Sequence, residues 1–513
     1  MPRGSLTVLA CATLVASTSG AQRIPARDTT AIAVDNSVTF QKIDGFGGTT
    51  LPLVYPSGDH LGAYRQDAIR AAFGNVGISL GMLSIGVVEA PANAADPYAQ
   101  RGNDNGDPFV RNPAGFNFSG SDILRSNILN PARAFGYSGL ELGPLISLRG
   151  PLDWLKLIRS ADYPRYLDEL AENVLATMEH WRDAYGLTPR LLHLFNEPTG
   201  GGDPELQPGS IQEVVDIVKR VGARLRGAGF ADVTFVVPND ENIVRSLEVA
   251  QAILADSVAR PFVGVIGYHA YPYGSVYSSP RRILETSGSG SPDIATRGQL
   301  EGLKALGGRY GVPIWLTEIS EGPGNQDYPF DAIENVLARA IHIHDNFEYA
   351  GATGYFGMLT IWDSRTLEEH TAGRTMYPLL SDAASIVLAD MSTGTMHISG
   401  MGHAIAHYAN WLKPGAMRIA STSDNARVIV TAFRDTASRS VIVVAVNNNS
   451  TAQQLRITIS GAVTLGSVKG DLSNEDLRRR VVPPFAPSSA GEVLYRAPPR
   501  SVVTLSIPVQ PPQ

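Results

Sequence analysis

The chain predicts an α/β fold, a (β/α)8 TIM barrel with an associated C-terminal β-sandwich domain. Three features of the 513-residue sequence carry that expectation. Between about residues 40 and 365, eight short apolar runs each end in polar or glycine-rich residues. Amphipathic segments of helical period lie between those runs. From about residue 395 the helical segments stop and several β-type runs follow one another with turn punctuation.

The eight runs, in order, are "IDGFGG", "GISLGMLSIGVV", "ELGPLISL", "RLLHLFNE", "VTFVVPND", "FVGVIGYHAY", "VPIWLTEIS" and "TGYFGMLTIW". Their apolarity is continuous rather than alternating, as in parallel strands covered on both faces. Residues 163–185 carry Leu167, Leu170, Val174, Met178 and Trp181 at helical spacing, and Gly186 follows as a stop signal. Ser210-Ile-Gln-Glu213 is a capping box that opens a second helix with Val214, Val218, Val221 and Leu225 on one face. Segments 296–310 and 331–349 read similarly. Eight alternations favour a closed barrel. A doubly wound sheet is the runner-up, weakened because no GxGxxG follows a strand.

Two regions break the rhythm. Residues 87–139 form a long interruption rich in Asn, Asp, Gly and Pro, expected as a loop at the barrel's C-terminal mouth. In the tail, "ARVIVTAF", "SRSVIVVAVNNN", "QQLRITISG" and "SVVTLSIP" read as sandwich strands. The expected division is a signal peptide over 1–21, an N-terminal strand segment over 22–39 that is a candidate to join the sandwich, the barrel over 40–394 and the sandwich over 395–513.

The N-terminus has Arg3, an apolar stretch from Ser5 to Ala16 too short to span a bilayer, and small residues at Ser19 and Ala21. It is expected to be a cleaved signal peptide directing the chain to the periplasm or exterior. Cys11 is the only cysteine, so cleavage after Ala21 leaves 492 residues (513 − 21) without a thiol and excludes cysteine chemistry. A net charge of −7 gives no reason to expect a nucleic-acid partner. No later run is long enough for a membrane span, and oligomeric state is left open.

In such a barrel the strand ends form the active site. Glu197 and Glu318 both end strands and lie 121 positions apart (318 − 197). At roughly 40 residues per unit that is about three units, so strands four and seven would aim them into one cavity. Two such carboxylates suit glycoside hydrolysis, with one as nucleophile and one as acid and base. Asn196 could bind a sugar hydroxyl, His269 and Tyr271 offer further polar groups, and Trp362 offers a flat apolar face. No metal or organic cofactor is required.

These residues sit in an ordered set that resembles glycoside hydrolase family 30, of the clan of retaining (β/α)8 glycosidases. The resemblance runs from about residue 38 to the end. It is carried by "QKIDGFGG", "FNEP", "YHAY", "WLTEIS", Trp362, "GHAIAHYANWLKPGAMRI" and "APPRSVVTLSI". It implies Glu197 as acid/base and Glu318 as nucleophile of a secreted β-glycosidase acting on β-linked glycans or glycosides. The sequence also departs from the family pattern. Met82 stands where many relatives have arginine, Glu89 where several have aspartate, and Arg149 where a tryptophan near the sugar is usual. Glu89 and Arg149 are therefore candidate substrate contacts, and an arginine there could favour an acidic sugar. The alternatives are a carbohydrate-binding protein with impaired catalysis on the same scaffold and a glycosidase of a neighbouring clan family.

Three further motifs are set aside. "GISLG" lacks the strand-then-helix context of a nucleophile elbow. "HAIAH" lacks the glutamate of a zincin motif. "NNS" is a glycosylation sequon only in a eukaryotic secretory host.

Overall fold

The computed structural model describes residues 28–50, 61–83, 85–95, 100–137, 141–143, 145, 153–199, 208–271, 279–320, 328–363, 385–489 and 491–510. The expected signal peptide and Arg149 lie outside the described residues.

β1 (Thr29–Lys42) leads into β2 (Gly45–Thr49), the first barrel strand. Then come β3 (Glu141–Leu142), β4 (Leu191–His193), β5 (Thr234–Asp240), β6 (Val263–His269), β7 (Ile314–Glu318) and β8 (Gly354–Asp363). Each pairs in parallel with the next from β3 to β8, and β2 pairs in parallel with β8. The ring closes through two parallel bridges, Thr49 to Met82 and Leu83 to Leu142. The second of the eight expected strands is thus reduced to a pair of bridges. Inside, Leu80, Val236, Val265, Trp315 and Phe356 form a compact cluster. β2 fits beside it because its glycines lack side chains. A Cβ on Gly47 would lie 2.7 Å from the Phe356 ring, and one on Gly48 would lie 2.7 Å from Thr360 Oγ1. Asp44 accepts hydrogen bonds from Trp315 Nε1 (2.8 Å) and Thr353 Oγ1 (2.6 Å), fixing the strand's entry.

The helices fall where the periodicity puts them. The Tyr163–Tyr185 helix ends at Gly186, with φ 64°. The Ile211–Gly227 helix is capped by Ser210, whose side chain accepts from Glu213 N at 3.2 Å. The third and fourth span Ile294–Tyr310 and Ile333–Asp345. The interruption after the second strand differs from a plain loop. Residues 119–133 are helical throughout, opening with Ser119–Leu124. Leu124, Ile128 and Leu129 on its inner face are fully buried, each contributing about 2 kcal/mol. Gly120 and Pro131 hide this helix from a composition-based reading.

After β8, β9 (Ser385–Ala389) pairs with it in parallel, and β10 (Met396–Ile398) pairs antiparallel with β9, so both stay with the barrel's sheet. A helix over Gly400–Ala409 follows. The sandwich comprises β11 (Met417–Ser423), β12 (Val428–Asp435), β13 (Ser440–Asn447), β14 (Gln453–Ser460), β15 (Val463–Thr464), β16 (Val468–Ser473), β17 (Arg480–Phe485), β18 (Val493–Ala497) and β19 (Ser501–Gln510). β1 lies between β11 and β14, antiparallel to the first and parallel to the second. Ile32 and Val34 of β1 enter the sandwich's own core with Ile419, Leu455 and Ile457.

The two units are joined by buried polar groups. His407 meets Thr504 Oγ1 at 3.0 Å through Nδ1 and Ser473 Oγ at 2.8 Å through Nε2. Both ring nitrogens are therefore engaged, and "HAIAH" serves as a dock for the sandwich. Asn448 of the sequon is buried too, its Nδ2 donating to Gly288 O at 2.8 Å. No helix among the described residues is long and apolar enough to cross a membrane.

Candidate active site

Glu318 is the last residue of β7, and His269 the last of β6. Glu197 stands four positions beyond the end of β4. A carboxylate oxygen of each glutamate and a ring nitrogen of His269 all lie within 4.8 Å of one another. All three side chains are buried, the two glutamates at 8% exposure. His269 Nδ1 lies 3.1 Å from Glu197 Oε1. Tyr271 donates its hydroxyl to Glu318 Oε1 at 2.9 Å, and Ser320 Oγ donates to that hydroxyl at 3.4 Å. The rings of His269 and Tyr271 meet edge to face.

Glu197 has φ 50°, in the left-handed region that a residue with a Cβ rarely takes. Strain of this kind costs about 1–3 kcal/mol and persists only where surroundings enforce it. Here β5 enforces it. Glu197 N donates to Asn239 O at 2.8 Å. Two residues on, Thr199 donates through its backbone N (3.1 Å) and hydroxyl (2.6 Å) to Asp240 Oδ2. Asn239, itself at φ 56°, donates from Nδ2 to Val236 O at 2.9 Å and contacts His193 Nδ1 at 3.3 Å. Its Oδ1 accepts from Thr317 Oγ1 at 2.8 Å. The residue before Glu318 and the backbone of Glu197 itself are thus tied to one asparagine.

Burial alone would push His269 down. Glu318, then the hydrogen bond and charge of Glu197, and finally Asp240 outweigh it and hold the imidazole above its ordinary value. Burial, and after it the Glu318 charge, raises Tyr271 well above the usual phenol range. His193 behind them is pushed down to about 3 by burial and by the charge of His269, with Asn239 opposing. Glu241 is raised by burial, then by the negative charges of Glu197 and Asp240. The spacing of Glu197, His269 and Glu318 would admit a cation, yet the His269 and Tyr271 hydrogen bonds already serve both carboxylates.

The structure brings together four of the residues expected at the site: Glu197, Glu318, His269 and Tyr271. Asn196 is half-buried beside Glu197. Trp362 lies in β8, buried against Leu359 and packed by Met358 and Leu388. Glu89 belongs to a different cluster, with Glu169 and Glu172. Met82 is buried in the second-strand bridge. Asn239, Asp240 and Glu241 were not singled out from the sequence, although "VVPND" ends a strand in the same way as "LFNE".

Comparison with known proteins bears on the fold that carries this geometry. Residues 415–505 match the family model described as the glycosyl hydrolase family 30 beta sandwich domain. The Caenorhabditis elegans protein named "Putative glucosylceramidase 2" is 23% identical over 401 residues, covering 75% of this chain and 70% of its own length. Among solved structures, a GH30 endoxylanase from Clostridium papyrosolvens C71 superposes with a TM-score of 0.60 at 17% identity, covering 93% of this chain and all (100%) of that one. The catalytic domain of GH30 xylanase C from Talaromyces cellulolyticus gives 0.63 at 17% identity, with 93% and 99% covered. The endo-beta1,6-glucanase BT3312 gives 0.61 at 17% identity, with 94% of each chain covered. The structural likenesses speak for the barrel-and-sandwich fold; with the match of residues 415–505 to the family 30 sandwich model and the relative along most of the chain, they support a glycoside hydrolase similar to family 30.

Proposed function

We propose that the chain is an exported retaining β-glycosidase that hydrolyses β-linked glycans or glycosides through a covalent glycosyl-enzyme. The observation that carries this reading is the approach of the Glu197 and Glu318 carboxylate oxygens to within 4.8 Å. Retaining pairs stand roughly 5–5.5 Å apart, whereas inverting pairs stand roughly 6.5–9.5 Å apart to admit a water. In the first step Glu318 attacks the anomeric carbon, the glycosidic C–O bond breaks, and Glu197 gives its proton to the departing oxygen. In the second step Glu197 takes a proton from water, whose oxygen displaces Glu318 and frees the sugar. Tyr271 holds Glu318 in its attacking orientation. His269 orients Glu197 and shares the local proton balance.

Esterification removes the Glu318 charge, the largest influence raising His269.

The test is hydrolysis of a panel of aryl β-glycosides and β-linked glycans, with Glu318→Gln as control. Activity on one sugar, lowered about 1,000-fold or more in Glu318→Gln, supports the reading. Glu197→Ala should spare the first step only for substrates with very good leaving groups, which need little protonation. Equal loss across all leaving groups would remove the acid role from Glu197.

A further inference from the structure

Away from the Glu197–Glu318 pair, three glutamates converge in the protein interior. Glu169 and Glu172 lie one turn apart on the Tyr163–Tyr185 helix, and Glu89 comes from the end of the second barrel run. Their exposures are 1%, 0% and 0% respectively. One oxygen from each lies within 4.8 Å of the others. Arg165 Nε donates to Glu169 Oε1 at 3.1 Å. Glu169 Oε2, both oxygens of Glu89 and both of Glu172 are buried without a hydrogen-bond partner, as is Asp104 Oδ1 above them. Asp104 acts repulsively on all three carboxylates. The other charges that face the cluster are Arg111 and Arg224, both acting on Glu172.

The backbone around the cluster is firmly built. Val88 N donates to Asn173 Oδ1 on the helix at 2.8 Å. Gly102 N donates to Glu89 O at 3.2 Å, and Arg101 Nη1 donates to Val87 O at 3.0 Å. Asp104 Oδ2 accepts from Asn105 Nδ2 at 3.0 Å, leaving Oδ1 for the interior.

Buried, unpaired carboxylates cost several kcal/mol each unless something neutralises them. Three buried glutamates beside Asp104 are served directly by one arginine. The Asp104 backbone lowers Glu89 and the Asn103 side chain lowers Glu169, but burial and the neighbouring carboxylates outweigh them, and a single divalent ion would neutralise two charges at once and satisfy the remaining oxygens. Ca–O distances are about 2.3–2.6 Å, so oxygens on opposite sides of one Ca2+ stand about 4.8 Å apart. We infer that Glu89, Glu169 and Glu172, with Asp104 from the overlying segment, form a calcium-binding site that clamps residues 100–112 to the Tyr163–Tyr185 helix. Ca2+ accepts irregular all-oxygen shells of six to eight ligands, whereas Mg2+ demands a tighter octahedron. The site is separate from the proposed catalytic pair, so its success or failure leaves that reading untouched.

The competing way to neutralise the cluster is by protons. Burial, then the neighbouring carboxylates, raises Glu89 well above the ordinary range, and burial with Asp104 and Glu169 takes Glu172 to about 8. Folded carboxyls with raised values bind more protons than the unfolded chain between about pH 4.5 and 8. Without a cation, stability would therefore fall as pH rises through that window.

The experiment uses the full mature chain after EDTA treatment and exchange into chelator-free buffer, with Ca2+ alone as probe. Calorimetric titration should give one site per chain. Saturating Ca2+ should raise the unfolding midpoint by about 3 °C or more at pH 8, with a smaller rise in Mg2+. Glu172→Gln should remove the response. Should that variant fail to fold, Asp104→Asn, whose side chain is only partly buried, should weaken binding at least 10-fold. Absence of binding heat and of any midpoint shift up to about 10 mM Ca2+ would overturn the site. So would a calcium response undiminished in both variants.

Discussion

The Nδ1 of His269 lies 3.1 Å from Oε1 of Glu197, and Glu318 is close enough to be the strongest force raising that imidazole. Converting Glu318 to an ester should lower the His269 titration midpoint. Trapping the glycosyl-enzyme with a slow fluorinated glycoside and following the His269 ring by NMR would show it. A midpoint that stays put on trapping would mean that the two groups do not communicate as the geometry requires.

With Ca2+ present to neutralise the Glu89–Glu169–Glu172 cluster, stability should fall on mild acidification. Burial holds His193 at about 3, His344 and His403 at about 4, and His342 and His407 well below the ordinary range. Below about pH 6.5 the unfolded chain takes up protons that these folded imidazoles refuse, so stability declines from about pH 6.5 toward 4. His269 acts in the opposite sense. Its raised folded value contributes stability below about pH 6.5 that disappears as pH rises through the folded value. Unfolding midpoints from pH 4 to 9 for the wild type, His407→Gln and His269→Asn check both signs. His407→Gln should flatten the acid limb and His269→Asn the alkaline one.

Tyr271→Phe removes the hydroxyl that donates to Glu318 while keeping the ring. We expect kcat to fall about 10- to 100-fold with little change in KM, since the bond acts on the carboxylate proposed as the nucleophile. The acid limb of kcat/KM should move to higher pH, because an ionised carboxylate that loses a donor is easier to protonate. A uniform drop with an unmoved pH profile would indicate a purely structural tyrosine.

Asn239 supplies a left-handed backbone position, a bond to Val236 O and an acceptor for Thr317. Asn239→Ala should lose about 3 kcal/mol in denaturant unfolding, combining lost buried hydrogen bonds with φ strain. Asn239→Gly should recover the strain component and not the bonds. Equal stability of the two variants would show that φ is of no consequence there.

The contrast between Glu197 and Asn239 shows what the sequence exposes. Apolar continuity gives away β4 to β8 because a barrel strand is covered on both sides. Strand-end carboxylates give away Glu197 and Glu318 because the fold sends strand ends to one mouth. Asn239 stands one residue before a strand end, but its role depends on φ 56° and on partners 46 and 78 positions away. No local pattern encodes those contacts. Glu89 illustrates the reverse: its position after a barrel strand suggests the sugar site, yet Asn173 and the folding back of residues 100–116 turn it toward Glu169 and Glu172. The helix at 119–133 is masked in the sequence because Gly120 and Pro131 outweigh its apolar face in composition.

The place of β1 in the sandwich bears on how the molecule is made. Thr30 Oγ1 bonds Gln453 Oε1 across 423 intervening steps of the chain, and β1 lies between β11 and β14. During synthesis at about 5–20 residues per second, β1 emerges first and waits tens of seconds for its neighbours. Throughout that wait it offers two unpaired edges to any other strand. A barrel can assemble from consecutive units as they appear, but the sheet beside it closes only after β11 and β14 have been made. Fragments that stop short of β14 should therefore associate through β1, and β11 and β14 act as the caps of a strand made hundreds of residues earlier.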